Sequence, residues 1–247
     1  MRYGPERILL AAILGAAFSG PGCRSDDVLR DTPVNWSADL PTIATQHHAE
    51  TLTHLLPEGL IVYLKFAPGD VKALYEHATV QADGAFHNGL WLASLCFRYA
   101  VEKDAALLPL IKKTWDAHHL LITGSGYPGL VARTYGKKDP SDPALMFRTD
   151  GSGDGMCGWV FGASAFWNLI DDPERKAQIA SDLKAICAHL RKHDLKIYQD
   201  ENTPTPYGDF KSPVMGVPIG HYGVAMMALA NLAVRANPSD AVCDNFL

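Results

Sequence analysis

Two kinds of helix alternate along this chain, and the alternation restricts the fold more than any single motif does. Residues 85–103 carry Phe86, Leu90, Trp91, Leu92, Leu95, Cys96, Phe97, Tyr99 and Val101. They are apolar on nearly every side, which predicts a helix buried all round. Residues 105–122 differ in kind: Leu107, Leu108, Leu110, Ile111, Trp115 and Leu120 make one side, and Lys112, Lys113 and Asp116 lie elsewhere. That pattern is amphipathic and peripheral. The scheme repeats, with 158–170 apolar all round (Trp159, Val160, Phe161, Phe166, Trp167) and 175–193 one-sided. A third round opens at His221 and turns at Ala236-Asn237-Pro238. Aligning the corners at Asp104, Pro173 and Pro238 gives a period of roughly 65 to 70 residues, the mark of stacked supersecondary units. Upstream, a helix is expected over 42–56, a short strand or irregular buried segment over 60–66, and a helical turn over 70–77.

The connections are unequal. Corners from a buried helix to its peripheral partner are short, whereas those leading into the next buried helix, 123–157 and 194–220, are long and rich in Gly and Pro. Antiparallel helices alternate direction, so all long connections fall at one end, beside the N-termini of the buried helices. Long connections in a compact domain are commonly functional, and helix N-termini favour anionic groups. Any chemistry is therefore expected at this mouth.

Three residue sets reach it. Asp83 stands at the start of the first buried helix, and His87, Trp91, Ser94 and Arg98 follow at spacings of 4, 3 and 4, a single polar stripe on one face. Such a stripe suits sugar hydroxyls, with Trp91 stacked on a ring, or equally a satisfied buried network. The second set is Arg148, Asp150, Ser152 and Asp154, followed by Trp159. Two carboxylates near a helix start can act as general acid and base, the charge of one raising the pKa of the other. Capping of the helix accounts for one of them in the plainer reading. The order Asp150, Ser152, Asp154, Gly155 imitates half a calcium loop, but Phe161 occupies the place of its closing glutamate. The third set is Asp200, Thr205, Tyr207, Asp209 and His221, much of which turn chemistry alone explains. Arg133 is a carboxylate partner or an anion contact.

The net charge of -5 and the lack of a Lys/Arg block argue against a nucleic-acid partner. A carbohydrate or another small polar ligand fits better. No P-loop, dinucleotide fingerprint or nucleophile elbow occurs, and neither a metal nor an organic cofactor is expected. Cys96 and Cys187 sit among apolar neighbours as small core residues, and with Cys157 and Cys243 they show no CxxC or other zinc spacing. The pairs His47/His54 and His189/His193 are read as solvated or helix-terminal histidines rather than ligands.

Residues 1–23 read as an export signal: Arg2 and Arg7, an apolar run over 8–18, then Gly22-Cys23. The run is too short for a permanent membrane span. Gly22-Cys23 resembles the bacterial lipoprotein signal, which implies acylation of Cys23 and attachment to the membrane by that lipid alone. Polar, Pro-containing residues 24–40 read as a linker, and 41–247 as the folded domain.

The hairpins of buried and one-sided helices, with Asp83-Gly84-Ala85-Phe86-His87-Asn88-Gly89-Leu90-Trp91 and Phe97-Arg98-Tyr99-Ala100, resemble the (α/α)-toroid proteins of the six-hairpin glycosidase-like superfamily. The resemblance implies an all-α fold with an inner and an outer layer of helices, here an incomplete toroid with fewer than three clear hairpins. It also implies carbohydrate chemistry of the hydrolase, lyase or epimerase kind. On that reading Asp150, Asp154 and His87 are the catalytic candidates, and Asp83, Trp91, Arg98, Arg133, Arg148, Trp159, Tyr207, Asp209 and His221 bind substrate. Two other readings compete: a non-catalytic surface lipoprotein that binds a glycan or an envelope partner, and a truncated relative without activity. Substrate and oligomeric state are not fixed by the sequence.

Overall fold

The computed structural model describes residues 36–63, 70–211 and 220–244, without the side chains of 36–39, 41, 220 and 221. The chain is mostly helical, with only short strands. It divides into two compact units at residue 52, and the second carries the core. The first unit holds helix α1 (Trp36–Thr53) except for its last residue. It begins within the segment expected to be a linker and ends before 56. Expectations for residues 1–23, including Cys23, lie outside the described residues.

In the second unit, Leu55 bridges Ile61, and Leu56, Leu60 and Val62 are fully buried. Helix α2 (Val71–Val80) is capped by Asp70, whose carboxylate accepts from the Ala73 N–H. Four longer helices follow as two hairpins: α3 (Gly84–Glu102) with α4 (Leu108–Thr123), and α5 (Gly153–Leu169) with α6 (Pro173–Lys192). Their corners are built as the sequence indicates. Asp104 accepts from Ala106 N–H, and Asp172, followed by Pro173, accepts from Arg175 N–H. These side chains satisfy N–H groups left open by a helix start. Asp172 is buried and also pairs with Lys112 at 3.0 Å and Arg175 at 3.1 Å, so one carboxylate ties α4 to the start of α6. Helix α7 (Gly220–Ala236) packs on α5 and α6, and a single turn, α8 (Ala241–Asp244), packs on α6 and α7.

The most extensive interface joins α3 to α5, and its closeness depends on glycine. A methyl group at Gly89 would fall 1.8 Å from the Gly158 carbonyl oxygen, and one at Gly158 would fall 2.3 Å from Phe86 Cα. The two backbones touch. Beneath this crossing lies a wholly buried polar network. The Asn88 amide nitrogen sits 3.2 Å from His118 Nδ1, His118 Nε2 sits 3.0 Å from the Trp159 carbonyl, and the Trp159 indole N–H donates to the His118 carbonyl at 3.1 Å. Asn88 Oδ1 accepts the Ile61 N–H, so its amide nitrogen is left to donate to His118. The imidazole then carries its proton on Nε2.

Two expectations need correction. Helix α3 is not buried all round: Val101 is 84% exposed and Leu90, Trp91 and Phe97 are half-buried, while on α7 Met227 is 69% exposed. Both helices keep one side in solvent, because their other side already meets α5. The long connections are not plain loops either. Each contains a two-stranded antiparallel hairpin, β1 (Thr134–Gly136) with β2 (Met146–Arg148), and β3 (Lys196–Tyr198) with β4 (Pro204–Asp209).

Candidate functional site

The two β-hairpins fix the mouth. Arg133, just before β1, takes its register from both neighbours: its N–H donates to the Arg148 carbonyl at 2.8 Å, and its own carbonyl accepts the Ala85 N–H at 2.9 Å. The second bond stitches the hairpin to the first turn of α3. Gly151 closes the approach to α5, for a methyl there would sit 2.7 Å from the Val131 carbonyl oxygen. The starts of α3 and α5 thereby come together with Arg133 between them.

The Arg133 side chain, 12% exposed, is the hub. Its Nε donates to the Ala82 carbonyl, one terminal nitrogen reaches Asp83 at 3.4 Å, and the other reaches Asp150 at 3.4 Å. Tyr207 of β4 covers the guanidinium, which lies 5.3 Å from the ring centroid, a cation–π contact. Asp150 is held still more firmly by Arg148, through a two-toothed pair at 2.6 and 3.1 Å. The remaining Arg148 nitrogen donates to the Val80 and Gln81 carbonyls at the end of α2. Asp150 therefore faces two guanidiniums, the geometry in which a carboxylate is an electrostatic brace.

Ser152, not Asp154, caps α5, its hydroxyl accepting from the Gly155 N–H at 3.0 Å. Asp154 is left exposed in the first turn, and the Tyr222 hydroxyl of α7 donates to it. Gly153 makes this possible, because a methyl there would lie 2.4 Å from Tyr222 Cζ. Burial, reinforced by the charges of Asp154, Cys157 and Asp83, holds the Tyr222 phenol well above its ordinary pKa, so it stays a hydrogen-bond donor. Asp83 occupies the cap position of α3 without capping it, and its carboxylate is committed to Arg133 instead. His87, one turn on, packs against Tyr63 with ring centroids 4.2 Å apart. Burial lowers its pKa, against the opposing charge of Asp83, so the neutral ring is favoured.

The sequence-derived residues thus separate into two groups. Asp83, His87, Arg133, Arg148, Asp150, Asp154 and Tyr207 belong to one neighbourhood at the starts of α3 and α5. Tyr222 and Tyr63 join it without having been anticipated. Tyr222 follows His221 directly at a helix start, the one signal that could have found it; Tyr63 lies in a segment whose sequence indicates only a short strand or an irregular buried stretch.

The others fall elsewhere. Trp159 is fully buried and bonded to His118, so it is a core residue rather than a ligand contact. Arg98 lies about 22 Å along α3 from Asp83 by helix rise and pairs with Glu102. Trp91 is half-buried two turns into the helix. Asp209 pairs with Lys196 at 3.4 Å and accepts from the Lys211 N–H, closing the end of its own hairpin. His221 lies in the first turn of α7, and residues 212–219 lie outside the described residues. Asp200 accepts from the N–H groups of Asn202 and Thr203, a turn role, beside a shallow open depression lined by Tyr127 and residues 200–203.

Among the described residues, no group of three or more His, Cys, Asp or Glu side chains is arranged to hold a metal ion. No described helix is long and apolar enough to cross a membrane. Comparison with known proteins finds no family, no curated protein and no solved structure that matches this chain.

Proposed function

We propose that this chain is an exported, carbohydrate-active protein of the helical-hairpin kind, an open arc of an (α/α) toroid. In it α3, α5 and α7 form the inner layer and α4 and α6 the outer one. Its site is the mouth at the starts of α3 and α5. The observation that carries the reading is the convergence there of Asp154, the Tyr222 hydroxyl, Asp83 and the Arg133–Tyr207 pair, drawn from five separate segments.

The roles follow from the contacts. Asp154, exposed and bonded to a neutral phenol, is the acid/base group, whereas Asp150 is occupied by two guanidiniums. Asp150 is the brace that holds Arg133 and Arg148. Tyr207, 52% exposed, offers a flat face for a sugar ring, while Asp83 and neutral His87 supply acceptors for hydroxyls. Cys23, acylated, would keep the protein at the cell envelope.

The test is turnover of a glycan panel by the wild type, Asp154→Asn and Asp150→Asn. Asp154→Asn is expected to lower kcat by roughly 10²- to 10⁴-fold with a smaller change in KM, the usual span for loss of a general acid or base. Asp150→Asn should weaken KM and thermal stability together. Equal turnover by all three proteins would end the acid/base assignment. Saturable binding of a glycan with no product at all favours the non-catalytic reading, which Asp150 supports by being closed off between arginines.

A further inference from the structure

Helix α8 is held against one face of α6 by contacts on either side of a cysteine. Lys184, Cys187 and Arg191 are spaced 3 and 4 and share that face. The Lys184 ammonium pairs with Asp240 at 2.7 Å, and Arg191 donates to the Ala241 carbonyl at 3.2 Å. Between these two clamps the Cys187 and Cys243 side chains lie beside each other, both almost fully buried. All four described cysteines are free, and only this pair is brought together across two helices by flanking ion and backbone contacts.

We propose that Cys187 and Cys243 are a dithiol that oxidises to a disulfide latching α8 onto α6. The oxidant is a disulfide, either a small molecule such as oxidised glutathione or a disulfide-carrying protein. The Cys243 thiolate attacks one sulfur of that disulfide, whose S–S bond breaks and releases one thiolate, leaving a mixed disulfide on Cys243. The Cys187 thiolate then attacks the Cys243 sulfur and expels the second thiolate. The two protons lost by the cysteines are taken up by the two leaving thiolates. The pair is oxidised by two electrons, and the incoming disulfide is reduced to two thiols.

The packing sets the order of events. Burial pushes the Cys187 thiol up to about 12 and raises Cys243 as well, so the docked pair is a poor nucleophile. Reaction passes through local release of α8, a four-residue element held by few contacts, and redocking aligns the second step. The inference does not depend on the carbohydrate reading.

The test uses the full chain purified under reductant, then equilibrated with oxidised glutathione, alkylated and digested with trypsin. Cleavage after Lys184, Arg191 and Arg235 leaves Cys187 in peptide 185–191 and Cys243 in peptide 236–247. These two are expected joined by a bond that dithiothreitol cleaves, with Tm raised by roughly 5 to 15 °C for a closed loop of this length. Cys243→Ser should lose both effects. Alkylation of both cysteines as separate peptides, glutathione adducts without a cross-link, or linkage of either to Cys96 or Cys157 would overturn the proposal. The peptide map of the wild type decides even if the variant folds poorly.

Discussion

Replacing Gly89 by alanine is expected to destabilise this protein more than most single changes in its core. Helix propensity alone favours the substitution by about 1 kcal/mol. The packing reverses the sign, because the new methyl would stand 1.8 Å from the Gly158 carbonyl oxygen and 2.4 Å from its carbon. Neither atom is the end of a flexible side chain. Relief requires α3 and α5 to move apart as rigid bodies, which also opens the layer over His118 and Trp159. Overpacking costs about 1–3 kcal/mol where side chains can yield and more where backbone cannot, so a net loss of about 3 kcal/mol or more, a fall in Tm of roughly 10 °C, is expected. Gly223→Ala on α7 is the control. Among the described residues nothing lies within 4 Å of its added methyl, and it should be neutral or slightly stabilising. Thermal unfolding of both variants measures the contrast; a Gly89→Ala protein as stable as the wild type would mean that α3 and α5 do not cross at these glycines.

That crossing also marks where the sequence stops being legible. The helices and their corners could be read because periodicity and capping chemistry are local: Asp104, and Asp172 before Pro173, announce the helix starts that the structure uses. The glycines at 89, 158 and 162 are equally visible, but their meaning is not, since a glycine inside a helix acquires its purpose only from the helix opposite. The β-hairpins were missed for a different reason. Three-residue strands such as Thr134–Gly136 are shorter than any window in which alternation can be recognised, and their pairing is with the neighbouring strand rather than with a pattern of their own.

That Asp83, Arg133, Arg148, Asp150 and Asp154 gather at helix starts was legible in outline, but their contacts were not. Asp150 and Asp154 are four residues apart and chemically identical, and only geometry separates them. One lies between Arg133 and Arg148, contacts made across the hairpin, and the other meets Tyr222 from α7. Trp159 stands in the second turn of α5, close in sequence to the residues at its start. Helical phase turns it instead toward α4, where it stacks over His118 with ring centroids 5.4 Å apart. Sequence position said how close these residues are to the helix start, but not which side of the helix they occupy.

Acid is expected to unfold this protein well above the range in which its carboxylates titrate, with His118 and His189 as joint causes. Burial holds the His118 pKa down to about 4, outweighing the hydrogen bond to the Trp159 carbonyl that raises it. Against an unfolded value of about 6.5, the folded state binds fewer protons, so its stability is whole above that pH and falls as pH drops toward 4. Protonation is costly for a visible reason: Nδ1 accepts from the Asn88 amide, and a proton there would set one N–H donor against another. His189 acts in the same direction. Burial, and then the charge of His193, lowers it to about 4, and its Nε2 accepts from the Tyr198 N–H. The buried Asp182 works the other way, since burial raises its pKa despite the bond from His119, and it returns part of the loss as pH falls. At pH 5 each of the two histidines contributes a loss of about 2 kcal/mol by linkage, enough to exceed a single carboxylate taking up its proton. Urea unfolding at pH 7.5 and pH 5.0 should therefore show the wild type losing several kcal/mol. His118→Gln should start lower at pH 7.5, because the amide fills the network imperfectly, and then lose only about half as much on acidification. Parallel losses in the two proteins would mean that His118 is not the buried neutral histidine on which the centre of this fold is built.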